Sequence, residues 1–182
     1  VSPLAKAETT LRLIKHQGFE RVMIFCNTKH MCQRLCDDFQ RTGLDCDCIH
    51  GDIRQSQREK TMLRFRQGKL PILIATDVAS RGIDVDDVDC VINFDIPDEN
   101  EYYVHRIGRT GRAGRDGVAI ALCDFSEKPL LKDIEKLIGK KVPVVENHPF
   151  PMTDFSEPVR DKHGKIVNAE DAEARQAARE LN

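Results

Sequence analysis

The sequence predicts an α/β domain built on a mostly parallel sheet with helices on both faces, followed by a C-terminal extension. Two observations carry this. From Leu4 to Ile138, short apolar runs alternate with segments of helical period through short loops, the pattern of right-handed crossovers between parallel strands. After about Pro143 the texture changes: Pro143, Pro149, Pro151 and Pro158 interrupt regular structure, and the stretch beyond is polar.

The elements follow in order. Leu4, Leu11 and Ile14 fall at helical spacing over Leu4 to His16, with Gly18 as the stop. Arg21 to Cys26 is a short apolar run suited to a strand buried on both faces. Asn27 and Thr28 are helix-capping types, and Met31, Leu35 and Phe39 give His30 to Gln40 a helical face. The alternation then repeats: strand Asp45 to His50, helix Gln55 to Gln67, strand Pro71 to Ala75. Strands at Cys90 to Phe94 and Val118 to Cys123 and helices at Asn100 to Arg106 and Glu127 to Ile138 complete a domain of residues 1–148. Residues 149–182 form the extension, whose stretch from Asn168 to Leu181 is rich in Ala, Glu and Arg and helical by propensity alone. In a parallel sheet ligands gather beyond the carboxyl ends of the strands, so the loops after Phe25, Ile49, Ala75 and Phe94 are the expected functional edge.

Bulk properties narrow the class. At 182 residues, with 40% hydrophobic and 32% charged residues, the chain has the balance of a folded globular protein, and it holds no apolar run long enough for a transmembrane helix. No signal peptide is evident, and the start at Val1 without Met suggests an excised piece. A net charge of −2 argues against bulk electrostatic capture of nucleic acid, so any phosphate binding must be local. The seven cysteines show no secreted-type framework and read as buried thiols of a reducing cytoplasm. Cys32 and Cys36, one helical turn apart, with Cys46, Cys48 and His50 alternating along a strand, invite a metal reading. Zinc sites normally use tighter CxxC pairs, so no metal ligands are assigned.

The chemistry concentrates between His105 and Arg115. Arginines recur at 106, 109, 112 and 115, with Gly108, Gly111 and Gly114 immediately before the last three. Glycine permits close backbone approach, and guanidinium groups offer forked, charged donors to phosphate oxygens, so the segment reads as a phosphate clamp.

Tyr103 to Arg112 (YVHRIGRTGR) resembles the sixth motif of DEAD-box RNA helicases, and Ala75 to Asp84 (ATDVASRGID) resembles the fifth. Gln55-Ser-Gln-Arg58 matches the QxxR element, and Val22 to Lys29 is similar to motif IV. Four motifs thus occur in family order over Val22 to Arg112. The resemblance implies a RecA-like fold with Arg109 and Arg112 as arginine fingers at the ATP γ-phosphate, and His105 linking the ATP site to the interdomain contacts. It places Asp84 at the ATP ribose, Thr76, Gly82, Gln55 and Arg58 along the RNA backbone, and Arg81 in the interdomain and RNA network. Phe25 would support the motif VI arginines by packing. A hydroxyl or glycine N–H can donate to phosphate, whereas a carboxylate suits a sugar hydroxyl, which agrees with that division.

The chain has no G-x-x-x-x-G-K-[ST] loop and no Asp-Glu-Ala-Asp segment. In the family these lie on the N-terminal RecA-like domain, so ATP and Mg²⁺ are expected to be held mainly by that partner domain, with RNA bound across both. This chain alone is expected to be inactive. Two other readings stay open: a related motor acting on DNA or translocating along duplex, and a non-catalytic module working through its extension. Lys132 to Ile138 followed by His148-Pro-Phe-Pro151 resembles bacterial members of the RhlE type. The sequence assigns no oligomeric state and no physiological RNA.

Overall fold

The computed structural model describes residues 1–81, 85, 87–111 and 116–150, together with the backbone of two short strands, β6 (Val159–Arg160) and β7 (Ile166–Val167), paired antiparallel. Gly82, Asp84, Arg112 and the proposed helix from Asn168 to Leu181 lie outside the described residues.

Five strands form one sheet: β1 (Val22–Cys26), β2 (Cys46–Ile49), β3 (Ile72–Thr76), β4 (Cys90–Asn93) and β5 (Val118–Ala121), in the order β2-β3-β1-β4-β5. Every neighbouring pair is parallel. β1 is central and buried along its whole length, as its unbroken apolar run requires. Its side chains alternate between faces: Val22, Ile24 and Cys26 join one core, Met23 and Phe25 the other. Helices α1 (Lys6–Gln17) and α2 (Lys29–Arg41) supply Ile14, Leu35 and Phe39 to the first core, and α3 (Gln55–Arg66) supplies Met62 and Phe65 to the second. A third cluster joins Tyr103 of α5 (Asn100–Ile107) to Ile134 of α6 (Lys128–Ile138) and Ile96.

Local signals set the helix ends. The Thr28 hydroxyl accepts from the Met31 N–H at 3.2 Å, capping α2. Gly18 adopts φ 67°, the left-handed stop that ends α1. A one-turn helix absent from the sequence reading, α4 (Asp77–Ser80), follows β3 directly.

The first helix departs from its predicted face. Leu4 lies in a 3-10 turn, Pro3–Ala5, and is 97% exposed, while Lys6, Thr9, Thr10 and Ile14 face inward. The polar residues can be buried because each has a partner. Thr9 and Thr10 donate to the carbonyls of Ala5 and Lys6, and Lys6 Nζ lies 2.6 Å from Glu127, 3.6 Å from Asp124 and 3.9 Å from Asp95. Phe150, at the start of the extension, returns to α1 with its ring 4.9 Å from the Arg12 guanidinium.

Candidate functional site

The carboxyl edge of the sheet is organised around Arg106, which is 1% exposed. Its fork closes on the Asp77 carboxylate through Nε at 2.7 Å and a terminal nitrogen at 2.6 Å. The remaining donors reach Asn93 Oδ1 at 3.1 Å, the Asp95 carbonyl at 2.7 Å and Asn27 Oδ1 at 2.8 Å, and the Phe25 ring lies 5.3 Å from the guanidinium carbon. One side chain therefore ties together the segments that follow β1, β3 and β4. Asp95 Oδ2 also accepts from the Asn27 N–H, and Asn27 donates to the Ile96 carbonyl, so Asn27 works as a loop brace where a helix cap was expected.

The helical period explains how α5 presents its arms. Tyr103 and Arg106, three apart, turn inward, leaving His105 exposed on the outer face. Gly108 ends the helix, and the chain through Arg109 is pinned on both sides. The Arg109 N–H donates to the Arg106 carbonyl, its own carbonyl accepts from Val88, and the Thr110 hydroxyl donates to the Val88 carbonyl. A Cβ on Gly117 would collide with the Thr110 side chain and the Gly111 backbone, so this close return of the chain requires glycine there.

Two shallow clefts follow from this arrangement. The first is lined by Asp77, Arg81, Tyr102, His105 and Arg109, with Arg106 and Phe25 at its floor. The second, beside it, is lined by Gln55, Arg58, Glu59, Arg66, Ala79 and Arg81. Arg81 belongs to both. It lies 5.3 Å from the Tyr102 ring and donates to the Tyr102 hydroxyl, which holds a long, exposed side chain in place. Arg58 donates to the Ala79 carbonyl at 3.0 Å, fastening α3 to α4, and Gln55 sits in a first helical turn that carries no acidic residue. Thr76 ends β3 immediately before Asp77, 8% exposed, in extended conformation.

The structure thus brings His105 and Arg109 to one cleft and Gln55 and Arg58 to the other, with Arg81 between them and Thr76 close behind. Arg112, Asp84 and Gly82 lie outside the described residues. The sequence reading missed the roles of Arg106, Asp77, Asn93 and Lys6. Arg106 was legible in part, since its spacing of three from Tyr103 puts it on the buried face. Phe25, expected to pack against the motif VI arginines, has its ring 5.3 Å from the guanidinium carbon of Arg106.

Burial sets the electrostatics behind the edge. Desolvation, helped by Asp95, pushes the Cys26 thiol well up, and burial raises the Tyr103 phenol. Burial lowers His50, whose Nδ1 accepts from the Asp52 N–H at 3.3 Å, so the ring is a neutral brace at the β2 turn. Guanidinium groups at the first cleft suit the oxygens of a nucleotide polyphosphate. They do not suit Mg²⁺: Asp77, the carboxylate lining that cleft, has both oxygens engaged by Arg106.

The family model of the helicase conserved C-terminal domain matches residues 5–114. The chain belongs to this family. Its relatives place it in the DEAD-box branch. It is 41% identical over 150 residues to the ATP-dependent RNA helicase DeaD of Buchnera aphidicola, covering 82% of this chain and 24% of that one. It also resembles the E. coli DEAD-box protein SrmB, solved bound to regulator of ribonuclease activity A, at 31% identity and TM-score 0.72, covering 84% of this chain and 93% of that one. S. cerevisiae Dbp5 bound to RNA and ADP BeF3 matches at 33% identity and TM-score 0.71, covering 78% and 39%. The DEAD-box domain described here therefore spans about a quarter of the length of DeaD.

Proposed function

We propose that this DEAD-box domain is the second wall of a composite ATP site and half of an RNA groove, in a protein that couples ATP hydrolysis to local separation of RNA strands. The observation that carries the proposal is the meeting of the two clefts at Arg81. His105 and Arg109 stand on one side of it, Gln55 and Arg58 on the other. The names of its relatives, ATP-dependent RNA helicases, and the Dbp5 complex with RNA and ADP BeF3 support the ligand assignment.

ATP supplies the phosphoryl group whose transfer drives the cycle. Arg109 and Arg112 act as arginine fingers, placing charge against the oxygens of the transferred group, where it counts most in the transition state. Arg106 cannot be a finger, because its donors are consumed by Asp77, Asn93, Asp95 and Asn27; it fixes the base from which Arg109 projects. His105 connects the nucleotide to the interdomain contacts, and Asp84 receives the ribose. Mg²⁺ would be held by carboxylates of the N-terminal RecA-like domain, where it would neutralise charge on the phosphates. Gln55, Arg58, Thr76, Arg81 and Gly82 hold the RNA by its backbone, which gives affinity with low sequence preference. Bending of the bound strand as the domains close separates the duplex, and phosphate release reopens the cleft. The seven free thiols fit a reducing cytoplasm. The RhlE-type assignment rests on α6 and the segment after it, away from both clefts.

The test is strand displacement from short RNA and DNA duplexes by the protein that carries both motor domains. ATP-dependent displacement of RNA, lost in Arg81→Ala, is expected. Equal displacement from RNA and DNA, or none, overturns the RNA assignment.

A further inference from the structure

At the β2 edge of the sheet, on the face opposite Ile49 and the second cleft, α2 and β2 enclose four thiols. Cys32 and Cys36 face the strand one helical turn apart, and Cys46 and Cys48 face the helix from alternate positions of β2; all four are buried. The thiols form a contiguous group: Cys36 lies against both Cys46 and Cys48, and Cys48 also against Cys32. Asp47 stands at the rim of this group, 24% exposed, on a strand that among the described residues has a neighbour on one side only. The sulfur atoms of Cys36 and Cys48 and a carboxylate oxygen of Asp47 all lie within 4.8 Å of one another.

We propose that Cys36, Cys48 and Asp47 form a binding site for a thiophilic d¹⁰ cation of the Zn²⁺ type, with Cys46 beside Cys36 as the next available donor. Thiolate sulfur is the ligand type that selects such cations, and two sulfurs with a carboxylate fall within zinc's usual donor set. The sequence spacing concealed this grouping, because the helix and the strand each contribute donors at their own period and only packing brings them together. His50 is not a ligand, since both ring nitrogens are engaged, Nε2 with Gln33 at 2.9 Å and Nδ1 with the Asp52 N–H. Asp47 Oδ1 accepts from the Cys48 N–H at 2.9 Å, and Oδ2 accepts from the Thr61 hydroxyl at 3.0 Å with Arg64 3.7 Å away. A carboxylate oxygen has two lone pairs, so unlike an imidazole nitrogen Oδ1 can still bind a cation. An ordinary thiol is protonated at neutral pH, so each of the two carries a proton before the cation arrives. Binding replaces the proton on each thiol with a metal–sulfur bond and releases two protons to solvent.

The reduced, metal-free chain is titrated with Zn²⁺ against a chromophoric chelator and with Cd²⁺ by thiolate charge-transfer absorption. One equivalent is expected for the wild type and for Cys90→Ser, which removes a buried thiol of β4 outside the group. Cys36→Ser and Cys48→Ser should lose stoichiometric uptake, and Asp47→Asn should weaken it at least about tenfold. Circular dichroism checks that each variant is folded; if Cys36→Ser is not, Cys48→Ser and the rim variant Asp47→Asn decide. Absence of stoichiometric uptake by the wild type, or uptake unchanged in the folded variants, overturns the site.

Discussion

Replacing Arg106 with Met removes the guanidinium while keeping an unbranched apolar stem of comparable length. Five hydrogen bonds disappear, two to Asp77 and one each to Asn93, Asp95 and Asn27. What remains is an Asp77 carboxylate with 14% side-chain exposure and no countercharge at its former partner's position, beside Asn93, which is 0% exposed and whose Nδ2 has no partner among the described residues. Breaking one half of a buried pair costs about 3–5 kcal/mol. Against a total stability of about 5–15 kcal/mol, that is a large fraction. With a urea slope of about 2 kcal/mol per molar, the unfolding midpoint should fall by about 2 M. Arg106→Lys keeps the charge but cannot reach five acceptors in three directions, and it should lose about half as much. The assay is equilibrium urea unfolding of the three proteins, followed by circular dichroism. A loss under about 1 kcal/mol for Arg106→Met would mean that the network does not hold the edge together, and the reasoning would be refuted.

Other outcomes follow from the same physics. Lys6→Met should destabilise by about 3 kcal/mol, because Glu127 and Asp124 are left without their cation; an unchanged urea midpoint contradicts this. Thr28→Ala should cost about 1 kcal/mol through the lost cap of α2, with Thr28→Ser restoring most of it in the same assay. His50 has its folded pKa lowered by burial, so below its ordinary value of 6.5 the unfolded chain binds a proton that the folded chain does not. Its contribution is therefore fully present above pH 6.5 and lost as pH falls below it; the stability gap between wild type and His50→Gln should narrow from about pH 8 to about pH 5, and a gap independent of pH sinks the assignment.

The parallel sheet was legible because β1 and the run Ile72 to Ala75 of β3 are apolar without interruption and their neighbours keep helical period, so the strand positions came directly from the residue pattern. Leu4 was misread because a 3-10 turn precedes α1, which breaks the spacing on which that apolar face was inferred. The arginine-rich segment was legible as chemistry but not in its division of labour. Four arginines at one spacing look alike in sequence, yet the helix turns Arg106 inward with Tyr103, while Arg109 falls just past the helix end and faces the cleft. The partners of Arg106 come from Asn27, Asp77 and Asn93, far apart in the chain and joined only by strand order. Lys6 was invisible for the same reason, since its two nearest carboxylates, Asp124 and Glu127, lie more than a hundred residues away.

The division between the two clefts is tested most directly by RNA-stimulated ATP hydrolysis in the protein that carries both motor domains, measured across a range of RNA concentrations. Arg109→Ala should lower kcat at least about a thousandfold, as for loss of an arginine finger, with RNA affinity preserved. Arg58→Ala should leave kcat at saturating RNA close to wild type and raise the RNA concentration for half-stimulation several-fold. Hydrolysis undiminished in Arg109→Ala, or a loss of kcat at saturating RNA in Arg58→Ala equal to that of Arg109→Ala, would contradict the assignment of one cleft to nucleotide and the other to RNA.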